Sequence, residues 1–296
     1  MRVLVSGASG FLGRAVCAAL ARAGHTPVAL SRTHLPEFDE AGIQWYRCDL
    51  PGGIDMRAFT PRADALVHCA YSTRFRSESE AIATNVDGSR ALLAAFREGG
   101  GGQFVFVSSF AAHERAESIY GQTKLMTEAA LDPARDTILR AGLIIGAGGI
   151  FQRIAQSIRA LGVVPLFYGG RQELQVIWID DLCAAIVAAV EQRFAGRYSV
   201  ASPQAVPIRE FYSGIARLQE RRPRFLPLPG PAILWLLRVA ERAGIPLPLT
   251  SENLLGLKAA RTFEVEADLA TLGIRPIPWE IALQRLDNSD SLMFNR

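Results

Sequence analysis

The stretch VLVSGASGFLGRAV, residues 3 to 16, sets Gly7, Gly10 and Gly13 three apart between an apolar run and an amphipathic one. A turn this rich in glycine lets backbone N–H groups approach a pyrophosphate, whose charge the N-terminus of the following helix favours, and the last glycine lets helix and strand pack closely. Ser9, Phe11 and Leu12 complete the expected cofactor-binding turn. The next strand ends about 20 residues on, where an acidic residue would hold the adenosine ribose hydroxyls. The sequence there reads ALSRTH, with no carboxylate. Arg32 suits a ribose 2′-phosphate instead, so NADP is the expected cofactor and NAD the second choice. A second group lies further on. Tyr120 and Lys124 are four residues apart in SIYGQTKLMTEAAL, which places both on one face of a helix. They follow the strand QFVFVSS, whose serines emerge at the carboxyl edge where open α/β sheets bind ligands. Because alternate strand residues face opposite sides, Ser108 and Ser109 are alternatives there.

These residues need a scaffold that brings strand ends together. Short β-branched runs alternate with helical patterns: RVLVSG, GRAVCAALARAG, TPVALSR, IQWYRCDL, DALVHCAY, EAIATNVDGSRALLAAFREGG, QFVFVSS, SIYGQTKLMTEAAL and TILRAGLIIG. This β-α-β rhythm, with near-continuously apolar strands, predicts a parallel sheet covered on both faces. After about residue 146 the rhythm loosens, though ELQVIWI, DDLCAAIVAAVEQ and GRYSVAS return to it. From Pro203 the chain is rich in proline and carries the helical pieces IREFYSGIARLQER, PAILWLLRVAERAG and ENLLGLKAAR. The expected fold is α/β, a Rossmann-type doubly wound parallel sheet over 1–200 with a smaller, mainly helical C-terminal substrate lobe over 201–296; residues 147–172 are expected to contribute to that lobe.

Composition sets the remaining bounds. The 296 residues are 49% hydrophobic and 21% charged, with 32 Lys and Arg against 29 Asp and Glu. A net charge of only +3 argues against a nucleic-acid partner. The densest basic run, RRPRF at 221–225, reads as a solvated loop. Cys17, Cys48, Cys69 and Cys183 lack ligand or disulfide spacing, and His25, His34, His68 and His113 lack metal-ligand spacing, so no metal is expected. Met1 leads straight into a strand, so a cytoplasmic location is expected. The apolar run around Trp235 is broken by Arg238, Glu241 and Arg242, well short of the roughly 18 residues a membrane span needs. Interior packing is its default, with a homodimer contact or a membrane surface as the alternatives.

In this order and spacing, GASGFLG, TNVDGS, VSS, YGQTK and WIDDL resemble the short-chain dehydrogenase/reductase superfamily. The resemblance covers essentially the whole chain and is nearest the extended and atypical branches, which hold nucleotide-sugar epimerases, dehydratases and a complex I accessory subunit. It implies that Tyr120 is a general acid or base exchanging a proton with a hydroxyl or carbonyl oxygen while hydride moves to or from nicotinamide. Lys124 would stabilise the tyrosinate and hold the nicotinamide ribose, and Ser109 would hydrogen-bond the reacting oxygen. Asn85 would support the lysine, its alternative being a cap on the following helix. Asp49 and Leu50 would sit by adenine, and Cys69, Ala70 and Tyr71 would line the cofactor groove. Asp181 reads as a helix cap or structural contact. The implied substrate is a nucleotide sugar; the alternatives are a smaller carbonyl compound, or no substrate at all in a structural or sensing NADP-binding protein. Three features set this chain apart: Ser109 and Tyr120 are only eleven residues apart, LRAGLIIG has Ala141 where the family often has proline and lacks the asparagine of galactose epimerases, and Leu174 stands where an arginine often grips the substrate diphosphate.

Overall fold

The computed structural model describes residues 1–73, 75–161, 163–222, 224–245 and 250–289. Pro223 of the basic run and residues 162, 246–249 and 290–296 of the expected lobe lie outside them. The central sheet contains β1 (Arg2–Ser6), β2 (Thr26–Ser31), β3 (Gln44–Asp49), β4 (Gly53–Ile54), β5 (Ala65–His68), β6 (Gln103–Ser109), β7 (Thr137–Ala141) and, after four strands that lie outside it, β12 (Gly196–Val200). Their order is β12-β7-β6-β5-β1-β2-β3-β4, and all neighbours are parallel except β3 and β4. The order turns back beside β1, the switch point at which such sheets open a crevice for ligands.

Alternation along each strand fills two cores. Val3, Val5, Ala29, Val67, Val105 and Leu139 face one side, where α1 (Phe11–Arg22) and α7 (Ile179–Gln192) supply Val16, Leu20, Leu182 and Ile186. Leu4, Val28, Leu30, Leu66, Phe104 and Phe106 face the other, against Leu92, Leu93 and Phe96 of α4 (Gly88–Glu98). The sheet is thus doubly covered, as near-continuous apolar strands require. The shorter helices α2 (Pro36–Glu40) and α3 (Glu78–Ala81) lie on the connections, and α5 (Ile119–Glu128) follows β6. A π-helical stretch, Ile82–Asp87, joins α3 to α4.

TILRAGLIIG divides at Gly142, which is pressed against the Gln175 carbonyl so closely that a Cβ would lie 2.4 Å from it. Beyond it β8 (Leu143–Ile145) leaves the sheet to pair with β11 (Val176–Trp178). After α6 (Gly149–Leu161), β9 (Val163–Phe167) pairs with β14 (Arg224–Leu228), and β10 (Glu173–Leu174) with β13 (Val206–Pro207). The remaining helices are α8 (Ile208–Leu218), α9 (Gly230–Arg242), α10 (Ser251–Lys258), α11 (Glu266–Leu272) and α12 (Trp279–Ser289). Phe211 of α8 meets Trp279 of α12 edge-on at 5.8 Å, within the same core as α1 and α7.

One expectation is corrected. Trp235 is not packed inside: it is 65% exposed on α9, with Leu236 at 56%. The inward face of that helix is already filled by Leu237, with Ile233 and Leu234, against Leu254 and Leu257 of α10. Successive helix positions turn by about 100°, so Trp235 falls on the outside.

Candidate active site

The glycine turn leaves β1 at the centre of the sheet. Gly7 has φ +70°, and a Cβ there would lie 2.7 Å from the Ala70 backbone; one on Gly13 would lie 2.2 Å from the Gly7 carbonyl oxygen. Both positions therefore exclude a side chain. The Gly10 N–H donates to the Gly7 carbonyl at 2.9 Å and closes the turn. α1 then starts without a side-chain cap and without an acidic residue in its first turn, so its first N–H donors are open to an anion. A pyrophosphate fits that arrangement. Ser9 and Leu12 are half-buried in the turn, while the Phe11 ring lies over Gly146 and Gly148. Arg32 is exposed just past the end of β2. Asp49 ends β3 with its carboxylate 3.7 Å from Arg47, and Leu50 packs against Gly88. Cys69, Ala70 and Tyr71 follow β5, half-buried beside Gly7.

Tyr120 and Lys124 share the face of α5 that meets the end of β6. Burial pushes the Tyr120 phenol's pKa up, and the neighbouring Ser109 side chain opposes the rise. Lys124 is buried, and its Nζ donates to the Val107 carbonyl at 2.7 Å, 5.0 Å from the centre of the Tyr71 ring and 4.6 Å from that of Phe106. Desolvation lowers its pKa to about 8, against the charge of Glu128. Tyr71 meets Tyr120 edge-on at 4.9 Å and bonds Thr123 at 2.8 Å through its hydroxyl. α5 can approach this closely because of Gly121, where a Cβ would strike the Ala111 carbonyl at 2.2 Å. Ser108 points elsewhere. It donates to the buried Glu128 carboxylate at 2.5 Å, which Arg140 grips through two further bonds of 2.8 and 2.6 Å.

Asn85 lies in the π-helical stretch, where its side chain accepts from the Ser72 N–H at 2.7 Å and donates to the Ser72 carbonyl at 3.1 Å. It pins the strand-end segment that carries Cys69 to Tyr71 and does not cap α4. Behind it runs a chain of buried hydrogen bonds that no motif or spacing singled out. The Ala70 N–H donates to Ser6 Oγ at 3.5 Å, Ser6 Oγ meets His68 Nδ1 at 2.5 Å, and His68 Nε2 meets Ser89 Oγ at 2.7 Å. Ser89 donates to the Asn85 carbonyl. With that acceptor at the far end, the Ser89 oxygen receives the His68 Nε2 proton and Ser6 donates to Nδ1, a neutral imidazole. Burial, aided by the Lys124 charge, lowers the His68 pKa to about 3.

Glu252 was equally hidden. From α10, 132 residues away in sequence, its carboxylate accepts from the Tyr120 N–H at 3.3 Å, in the first turn of α5. Asp181 makes a structural contact, accepting from the Ile277 N–H at 2.9 Å; Trp178, not Asp181, occupies the cap position of α7.

The sequence pattern of the NAD dependent epimerase/dehydratase family matches residues 3–201. The chain belongs to that family. Among family relatives, the ceramide reductase of Caulobacter vibrioides is 30% identical, over 78% of this chain and 75% of that protein. The 2-alkyl-3-oxoalkanoate reductase of Stenotrophomonas maltophilia is 28% identical, over 71% of this chain and 73% of that protein. An uncharacterised Mycobacterium bovis protein is 28% identical over 98% of this chain, which spans only about a third (33%) of its length. The epimerase-type fold extends over the whole chain: MoeE5 in complex with UDP-glucose and NAD superposes with TM-score 0.75 over 97% of this chain and 98% of that one, at 20% identity.

Proposed function

We propose that this chain is a nicotinamide-dependent reductase of a carbonyl carbon, with NADP as cofactor and NAD as second choice. The observation that carries the reading is the grouping of Tyr120, buried Lys124 on the same helix face and Ser109 at the end of β6, with the glycine turn at the same sheet edge. Gly7, Ser9, Gly10, Phe11, Leu12 and Gly13 would hold the pyrophosphate, Asp49 and Leu50 the adenine, and Arg32 the 2′-phosphate. Cys69, Ala70, Tyr71 and Lys124 would line the nicotinamide half of the groove. The bound nicotinamide would supply the hydride.

In this reading Tyr120 donates its phenolic proton to the substrate oxygen, and Ser109 holds that oxygen in place. The Lys124 cation lowers the cost of the tyrosinate left behind. Asn85 keeps the Cys69–Tyr71 segment in position through Ser72. Residues 201–296, with 147–172, would cover the substrate as a lobe. Reductases among relatives at 28–30% identity, and Leu174 on β10 in place of a cation, support a carbonyl compound without a diphosphate. Likeness to MoeE5 with UDP-glucose favours a nucleotide sugar as the second reading.

The test is nicotinamide absorbance with purified protein, NADPH or NADH, and a panel of 3-oxoacyl esters, small aldehydes and UDP-sugars. Oxidation of NADPH by a 3-oxoacyl ester or aldehyde is the expected result. Turnover of UDP-sugars alone would move the reading to the epimerase class, and tight NADPH binding with no turnover would move it to a binding protein.

A further inference from the structure

The outward face of α9 has no use in that chemistry. Trp235, Leu236 and Val239 are 65%, 56% and 44% exposed. At about 100° per residue, Ala232, Trp235, Leu236, Val239 and Ala243 fall within one arc of about 100°. Arg238 and Arg242, both exposed, border that arc on the Trp235 side. The helix's one carboxylate is turned away: Glu241 accepts from the Ser251 N–H at 2.6 Å and from its hydroxyl at 2.7 Å. Nearby Glu252 is engaged at the start of α5. The exposed strip is thus apolar, with a cationic margin on the Trp235 side.

A second copy of the chain fits this face poorly. Three large side chains on one helix fall short of the roughly 800 Å² per partner that a stable dimer buries, and a two-fold contact would bring the arginines of both copies together. Nor does α9 cross a bilayer; no helix among the described residues is long and apolar enough to do so. Tryptophan and aliphatic side chains flanked by arginines match the boundary between acyl chains and anionic headgroups. We propose that α9 docks this chain in the plane of an anionic phospholipid bilayer. α9 packs on α10, and α10 on α5. At 8–10 Å between packed helix axes, docking would hold the Tyr120 helix about 20 Å from the membrane boundary. The inference stands whether or not the proposed reduction is correct.

Flotation with vesicles tests it, using equal parts phosphatidylcholine and phosphatidylglycerol against phosphatidylcholine alone. The wild-type chain is expected to float with the mixed vesicles at low salt and to be released by high salt. Replacing Arg238 and Arg242 by serine should weaken binding about fivefold per arginine. Trp235→Ser with Leu236→Ser should weaken it more than tenfold, and neither pair should change the thermal midpoint. Absence of wild-type flotation, or equal flotation of wild type and variants, would overturn the proposal. A dimer in light scattering that Trp235→Ser with Leu236→Ser converts to monomer would assign the face to a second copy and overturn it too.

Discussion

Ser108 and Ser109 are adjacent, yet their surroundings separate them. Ser108 supplies a short bond to a carboxylate that is otherwise held by arginine and closed off from water. Replacing it by alanine leaves that buried acceptor one donor short, a cost of about 1.5–3 kcal/mol; a urea midpoint should fall while turnover per folded molecule stays unchanged. Ser109→Ala should do the reverse, lowering kcat with the midpoint near wild type. Strand alternation identified the two serines as alternatives. It could not choose between them, because the choice is made by Glu128 and Arg140, outside the strand that bears them. Lys124 permits a pH prediction. Its lowered pKa of about 8 means that its charge is present below that pH and lost above it. In the direction of reduction, kcat/KM should therefore decline as pH rises through about 8. A profile flat to pH 10 would place the cation's support elsewhere.

At the scale of elements, the glycine turn was readable because its requirement is largely local: Gly7 takes φ +70°, and at Gly13 the backbone passes too close to the Gly7 carbonyl for a Cβ. The β-α-β rhythm was readable for the same reason. The π-helical stretch at 82–87 was not, since a shift in backbone hydrogen bonding leaves no mark in side-chain pattern. Nor was the orientation of α9, whose apolar residues wrap most of its circumference, so burial on one side cannot be told from burial on the other. The chain Ser6–His68–Ser89 joins β1 and β5 to the segment before α4, and its neutral imidazole gives stability a pH dependence. The folded-state pKa of about 3 lies below the ordinary histidine value of 6.5. Between these values the unfolded chain takes up a proton that the folded chain refuses. Stability is therefore complete above pH 6.5 and is lost as pH falls, by up to about 1.4 kcal/mol per unit from this group. Urea midpoints at successive pH values between 7 and 5, compared with His68→Gln, should show a steeper decline in the wild type.

For the molecule as a whole, the C-terminal segment reaches back to the sheet edge. Glu252 accepts the Tyr120 N–H in the first turn of its helix, and Lys258 pairs with Glu117 at 2.7 Å just before it. No periodicity announces contacts across more than a hundred residues, which is why the sequence placed Tyr120 and Lys124 but not the carboxylate that steadies their helix. The order of α/β elements, by contrast, was legible to about residue 146, and β12 returns to the sheet beside β7 where GRYSVAS suggested. The central claim is that Tyr120 delivers the proton when a carbonyl is reduced at this edge. The most direct test compares Tyr120→Phe with wild type in NADPH affinity and in single-turnover reduction of whichever panel compound is accepted. Unchanged NADPH affinity with reduction slowed by roughly 10²–10⁴ is the predicted result; reduction at the wild-type rate would contradict it.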